Sequence, residues 1–264
     1  MEEQQDQKCG SALCLLPRRG RSIPFSTLGT ALVLAFFLPL SPQTSARSQD
    51  RQAADAPERF DMAVRGDMFT GMAGDSAALE RAMKLCEQRL EKNSKDPEAL
   101  VWHGSGLVFQ AGQMFRAGDI VNGKPAIIRG MKEMDDAVAL APNSLSTLIP
   151  RGASLLSYAA HSSDSERARP RLEVGLADYE NVLKIQKPEW ARLPAHSRGE
   201  LLSGLTAGWV QAGEAAKARA YAQRIVAELP GSRYAARAQA FLGAAPPPSR
   251  LDWPCLGCHA GNPR

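Results

Sequence analysis

The spacing of apolar residues between residues 58 and 243 is the feature that most constrains the fold of this chain. The segment is rich in Ala, Leu, Glu and Arg, and its apolar residues recur with the period of one face of an α-helix. No alternating apolar and polar run predicts a strand, and no Asn-Gly hairpin joins β-branched runs. We therefore expect an all-α fold.

Residues 199–230 contain the most regular unit. Gly213 separates two amphipathic helices, and Pro230 ends the second one. Alanines on the second helix allow it to approach the first closely. In chain order, the residues that define the unit are Leu202, Leu205, Trp209, Gly213, Ala218, Ala222, Ile225 and Pro230.

This order of large, aromatic, glycine, small and proline positions resembles the tetratricopeptide repeat of about 34 residues. The resemblance covers roughly residues 58–243, is strong in the last unit and is loose in the middle two. It implies a tetratricopeptide-like helical-hairpin solenoid, whose concave surface binds a protein or peptide partner.

We predict four helix pairs and a closing helix near residues 233–242. Asp75 is expected to cap the second helix of the first pair, since an aspartate before a helix accepts hydrogen bonds from its first amides. In the second pair Gly112 falls near the end of the first helix, and residues 115–125 form a connection longer than a standard repeat allows. A stretched connection is also expected in the third pair, between residues 158 and 172.

The C-terminal residues carry the main chemical motif. Cys255, Cys258 and His259 form C-x-x-C-H, the pattern of covalent c-type haem attachment. Thiols at this spacing reach the two vinyl groups on one porphyrin edge, and the adjacent imidazole becomes the proximal ligand of the iron. The resemblance to c-type cytochromes is confined to this motif, because only residues 260–264 follow it. We predict haem c as the cofactor, held by both thiols, with His259 as an axial ligand.

The distal iron ligand must then come from the helical segment, a partner chain or water. His103, on the first helix of the second pair, is the first candidate among the other histidines, with a packed histidine as the alternative interpretation. His161 lies in a predicted exposed connection, and His196 flanks the last unit. Methionines at helical spacing are interpreted as core residues, and Trp253 as a cover for one porphyrin edge or a buried tail residue.

Residues 1–46 have the layout of a secretory signal. Arg18, Arg19 and Arg21 precede the uncharged run LGTALVLAFFLPL, and small residues precede a cleavage position after Ala46. Export agrees with the haem prediction, because c-type cytochromes acquire haem outside the cytoplasm. We predict a periplasmic protein, with an uncleaved leader that anchors it to the membrane as the alternative.

The remaining segments complete the predicted organisation. Residues 47–57 form a flexible linker before the repeat domain at 58–243, residues 244–252 form a proline-rich linker, and residues 253–264 form the tail. Cys86 is interpreted as a buried structural thiol. The acidic residues Glu133, Asp135 and Asp136 are interpreted as a solvated helix face.

Composition excludes several classes of function. The formal net charge of +4 is small and dispersed, so a nucleic-acid partner is not expected. No catalytic triad order, phosphate-binding glycine loop or zinc-binding helix motif is present. Zinc at the tail motif would need a fourth ligand, and a dithiol redox site there lacks a surrounding βαβ pattern.

Two classes of function remain, together with a less favoured haem enzyme whose acid–base residue the sequence does not provide. The first is an exported repeat protein with one covalent haem on its tail, which acts in electron transfer or docks a redox partner. The alternative is a non-catalytic periplasmic repeat adaptor, in which the tail cysteines are incidental or redox-active. Haem attached to the protein would distinguish the two.

Overall fold

The computed structural model of the protein describes residues 59–246 and 248–251. Within these ranges 82% of the residues are helical and no strand occurs, which confirms the all-α prediction. A short 3-10 helix, Lys187–Arg192, separates the sixth and seventh of the nine α-helices in these ranges. The α-helices are α1 Phe60–Met72, α2 Ser76–Lys92, α3 Pro97–Arg116, α4 Ile120–Leu140, α5 Leu145–His161, α6 Ser165–Gln186, α7 Ala195–Gln211, α8 Ala215–Glu228 and α9 Arg233–Gly243.

Consecutive helices pack as hairpins, α1 with α2, α3 with α4, α5 with α6 and α7 with α8, and α9 packs on α8. The first helices of successive hairpins also contact one another, so that α3 packs on α1, α5 on α3 and α7 on α5. The described residues therefore contain the predicted four pairs and closing helix, with each pair stacked on the one before it.

Three of the four turns within hairpins have the same sequence pattern, Ala-Gly followed by Asp or Glu. Gly74, Gly118 and Gly213 adopt φ values of 124°, 80° and 79°, in the left-handed region where a Cβ is disfavoured. In the second turn the Asp119 amide donates to the Met114 carbonyl at 2.8 Å, which closes the preceding helix. Gly213 has the turn role predicted for it.

An aspartate caps the N-terminus of the second helix in three of the four hairpins. The Asp75 side chain accepts a hydrogen bond from the Ala78 amide at 3.0 Å, which confirms the predicted cap. Asp119 and Asp164 cap α4 and α6 in the same way. Each cap satisfies an amide that has no partner inside its own helix.

The two stretched connections predicted from the sequence are wrong. Helix α3 continues through Gly112 to Arg116, and only residues 117–119 separate it from α4. Residues 162–164 alone join α5 to α6. Pro125 and Pro170 fall in the expected connections, but each is the sixth residue of its helix, where a proline removes only an early intrahelical hydrogen bond.

Close contacts at glycines hold the stack together. A Cβ on Gly104 would lie 2.6 Å from the Gly130 carbonyl oxygen, and one on Gly130 would lie 2.7 Å from that of Gly104, so α3 and α4 touch backbone to backbone. The buried Tyr179 ring lies between Gly152 and Gly204, and a Cβ on either glycine would come within 2.5 Å of it. These contacts join α6 to both α5 and α7.

We predict that Gly104→Ala lowers the free energy of unfolding by about 1–3 kcal/mol, because the added methyl group would push α3 and α4 apart. Gly112→Ala on the same helix is the matched control. Its Cβ would meet its nearest neighbour, Arg116, at an ordinary 3.5 Å, so it should be neutral or stabilising by about 0.5–1 kcal/mol. Urea unfolding followed by circular dichroism measures both, and equal stabilities would contradict the prediction.

Candidate functional site

The predicted haem residues Cys255, Cys258 and His259 lie outside the described residues, as do the predicted leader and the linker before the repeats. The described residues end at Leu251, four residues before Cys255. Within the described ranges no group of three or more His, Cys, Asp or Glu side chains could hold a metal ion. The metal prediction therefore depends on the chemistry of the tail motif, two thiols followed by an imidazole, which fits covalent haem.

Cys86 is the one cysteine among the described residues, and its side chain is buried in the core. Burial first, and then the negative charges of Glu133 and Glu87, raise the pKa of its thiol to about 12. A neutral, enclosed thiol is a poor nucleophile. The structural role predicted for Cys86 fits this environment, and the thiol does not compete with Cys255 and Cys258 for a haem vinyl group.

His103 lies in the same core, with 1% of its surface exposed. Its Nδ1 is 2.5 Å from Glu133 Oε2, and its Nε2 is 3.7 Å from Glu87 Oε1. Both ring nitrogens thus face carboxylates of α2 and α4, and a haem iron would reach Nε2 only if the exposed Glu87 side chain moved. The assignment of His103 as the distal ligand stays a prediction, while its visible contacts tie α3 to its neighbours.

The solvated acidic face expected on α4 is wrong for Glu133, whereas the side chains of Asp135 and Asp136 remain 41% and 46% exposed. Glu133 is buried against His103 and also accepts a hydrogen bond from Arg129 at 2.8 Å. Asp135 accepts hydrogen bonds from Arg151 and Arg171, which belong to the next hairpin. The pairing of Glu133 with His103 forms only when α3 and α4 pack within their hairpin. The pairings of Asp135 with Arg151 and Arg171 form only when the next hairpin stacks on this one.

Arg151 is the centre of this charge network. It donates two hydrogen bonds to Asp178, at 2.7 and 2.8 Å, in addition to its bond with Asp135. Burial alone would lower the pKa of Arg151, but the hydrogen bonds and charges of Asp178 and Asp135 outweigh burial and raise it. The guanidinium therefore stays charged, and its paired carboxylates make the network a structural link between α4, α5 and α6.

The other two histidines lie near the surface. His161 ends α5, where its Nδ1 is 2.8 Å from the Ser157 carbonyl oxygen. His196, near the start of α7, has its Nδ1 2.8 Å from the Tyr234 hydroxyl, which donates to Glu200 at 2.6 Å. This polar cluster joins α7 to α9.

The C-terminal end of the stack carries an open, mainly apolar groove of about 270 Å³. Its lining comes from α9 and from the linker that follows it: Arg237, Ala240, Phe241, Ala244, Pro248 and Leu251. Leu251 also packs against the core formed by α7, α8 and α9. In the described part of the proline-rich linker, Pro248 and Leu251 therefore lie against the last helix.

Comparison of the chain with protein-family models, with curated proteins and with solved structures finds no match. In the part of the chain that the structure describes, no helix has both the length and the apolar character needed to cross a membrane.

We predict that the Cys86 thiol of the folded protein does not react with a maleimide reagent at pH 7.5, because a thiol with a pKa of about 12 forms very little thiolate at that pH. The same thiol should react within minutes in a denaturant. The protein to test is a Cys255→Ala/Cys258→Ala variant that lacks residues 1–46, so that Cys86 is its remaining cysteine. Mass spectrometry counts the maleimide labels on it. Rapid labelling of the folded protein would contradict the prediction.

Proposed function

We propose that this protein is an exported, tetratricopeptide-like repeat protein that carries one covalent haem c on its C-terminal tail and acts in electron transfer or redox-partner docking. The observation that carries the proposal is the C-x-x-C-H motif at Cys255, Cys258 and His259, placed directly after a stack of helical hairpins. The secretory layout of residues 1–46 supports it independently, since haem of this type is attached outside the cytoplasm.

The repeated architecture supports the tetratricopeptide-like part of the proposal. Four helical hairpins follow one another, their first helices pack in a row, and three share an Ala-Gly-acidic turn. Two hairpins, at 97–140 and 145–186, exceed the roughly 34 residues of the standard repeat. The likeness is therefore greatest in the last hairpin. A surface formed by such a row of first helices is the proposed binding surface for a protein partner.

The chain's own residues would have distinct roles toward the haem. Cys255 and Cys258 would hold the porphyrin edge through thioether bonds, and the imidazole of His259 would bind the iron from one side. When bound, the haem supplies a one-electron couple at its iron. His103, the first candidate for the opposite side, lies in the core between Glu133 and Glu87. We therefore expect a distal position that is open or weakly ligated.

Covalent haem is the first test. We expect protein exported from a host with a c-type haem maturation system to give the pyridine haemochrome spectrum and to keep its haem stain on a denaturing gel. Cys255→Ala/Cys258→Ala should lose the stain, since no thioether can form. Cys86→Ala is the matched control and should keep it, because Cys86 is buried in the core. A colourless wild type with two free tail thiols would indicate the repeat adaptor instead.

The state of the iron is the second test. Because Glu133 and Glu87 enclose His103, we expect the ferrous protein to be high-spin and to bind carbon monoxide readily. Absorption spectra before and after addition of the gas measure this. A low-spin spectrum that carbon monoxide leaves unchanged would show that a strong distal ligand is in place. The variant His103→Ala would then show whether that ligand is His103.

A further inference from the structure

The outer face of the last helix is where the stack and the tail meet. On α9, Tyr234, Ala238 and Phe241 are buried against the core. Arg237 and Ala240 lie on a neighbouring strip of the helix surface, three residues apart, and Ala244 follows the helix at its C-terminal cap. Among the described helices none covers this strip, because α9 is the last of the stack.

The linker turns back along this strip. Pro248 and Leu251 line the groove opposite Arg237, Ala240 and Ala244, and Leu251 packs on the core. The chain therefore leaves the described region already lying against α9. The groove volume of about 270 Å³ is below the roughly 300–1,000 Å³ of pockets that enclose a cofactor-sized molecule, so one large side chain is a better match than a porphyrin.

We propose that the tail of this same chain docks in the groove, with the Trp253 indole as its anchor. Trp253 follows Leu251 by two residues, and an extended chain advances about 3.3–3.6 Å per residue, so the Trp253 backbone can be no farther than about 7 Å from Leu251 in the groove lining. An indole is large and apolar with one polar edge, which suits an apolar groove with an open side.

A pair of opposite charges would fix which residue of the docked segment lies beside which residue of the groove. Arg237 lines the groove, is exposed, and forms no ion pair with another described residue. Asp252, the last residue of the linker, lies between Leu251 and Trp253 and can pair with Arg237 when the indole is seated. An exposed pair of this kind selects one arrangement more than it strengthens binding.

Docking would determine where a haem is held. Cys255 follows Trp253 by two residues, so a porphyrin attached there would be held at the C-terminal end of the stack. This consequence rests on the proposed function, whereas the docking itself needs no haem.

The indole N–H resonances of full-length, haem-free protein test the docking, with Trp253→Phe to assign the resonance of Trp253. We expect a shifted resonance whose solvent exchange is at least about tenfold slower than in Ala240→Glu, where a charged side chain occupies the groove. Gln239→Glu is the matched control, an equal negative charge on an exposed neighbour that does not line the groove. It should stay within about twofold of the wild type.

The pairing of Arg237 with Asp252 is tested by charge exchange. Arg237→Asp and Asp252→Arg should each speed the exchange of the Trp253 indole, and the double variant should restore protection. A wild-type Trp253 resonance at the position of an unfolded chain, exchanging as fast as in Ala240→Glu, overturns the proposal. Protection that disappears on dilution also overturns it, because the occupant is then a second copy.

Haem content is measured separately on the protein from the maturation-competent host. A protected indole in a protein that never acquires haem supports the docking while the proposed function fails. A haem-loaded protein with an unprotected indole supports the proposed function and overturns the docking.

Discussion

The close approach of helices at small residues is the constraint on which the rest of this structure depends. Gly104 and Gly130 bring α3 and α4 into backbone contact, and Tyr179 fits between Gly152 and Gly204. With a Cβ at these positions the helix axes would have to separate, and the side chains between them would lose their contacts. The buried polar pairs, such as His103 with Glu133, form within the geometry that these contacts set.

The short turns also hold the two helices of each hairpin close together. An Ala-Gly-acidic sequence closes one helix through a positive-φ glycine and begins the next helix in three hairpins. In the two capped cases the aspartate also satisfies a helix amide. Such short turns leave the two helices of a hairpin no arrangement except packing against each other, so the stack is built from units that form locally.

The proposed haem attachment and the proposed docking of the tail both concern the C-terminal end of that stack. A repeat architecture places its last helix against solvent unless something caps it, and here the linker returns along α9 instead of leading away from it. If the tail completes the cap, the proposed haem site is part of the scaffold and not a free appendage. A redox partner bound to the stack would then meet the haem at a defined distance.

The sequence by itself determined the helical class, the four pairs with a closing helix, the Asp75 cap and the burial of Cys86, because these follow from local periodicity and side-chain chemistry. It also supplied the haem motif, a covalent pattern of three neighbouring residues. Only the tertiary structure decided that Pro125 lies within a helix, that Glu133 is buried against His103 and that Asp135 pairs with the next hairpin. It also decided that the linker lies along α9. The partners of Glu133 and Asp135 are distant in sequence, and the positions of these side chains and of the linker depend on how closely the helices pack.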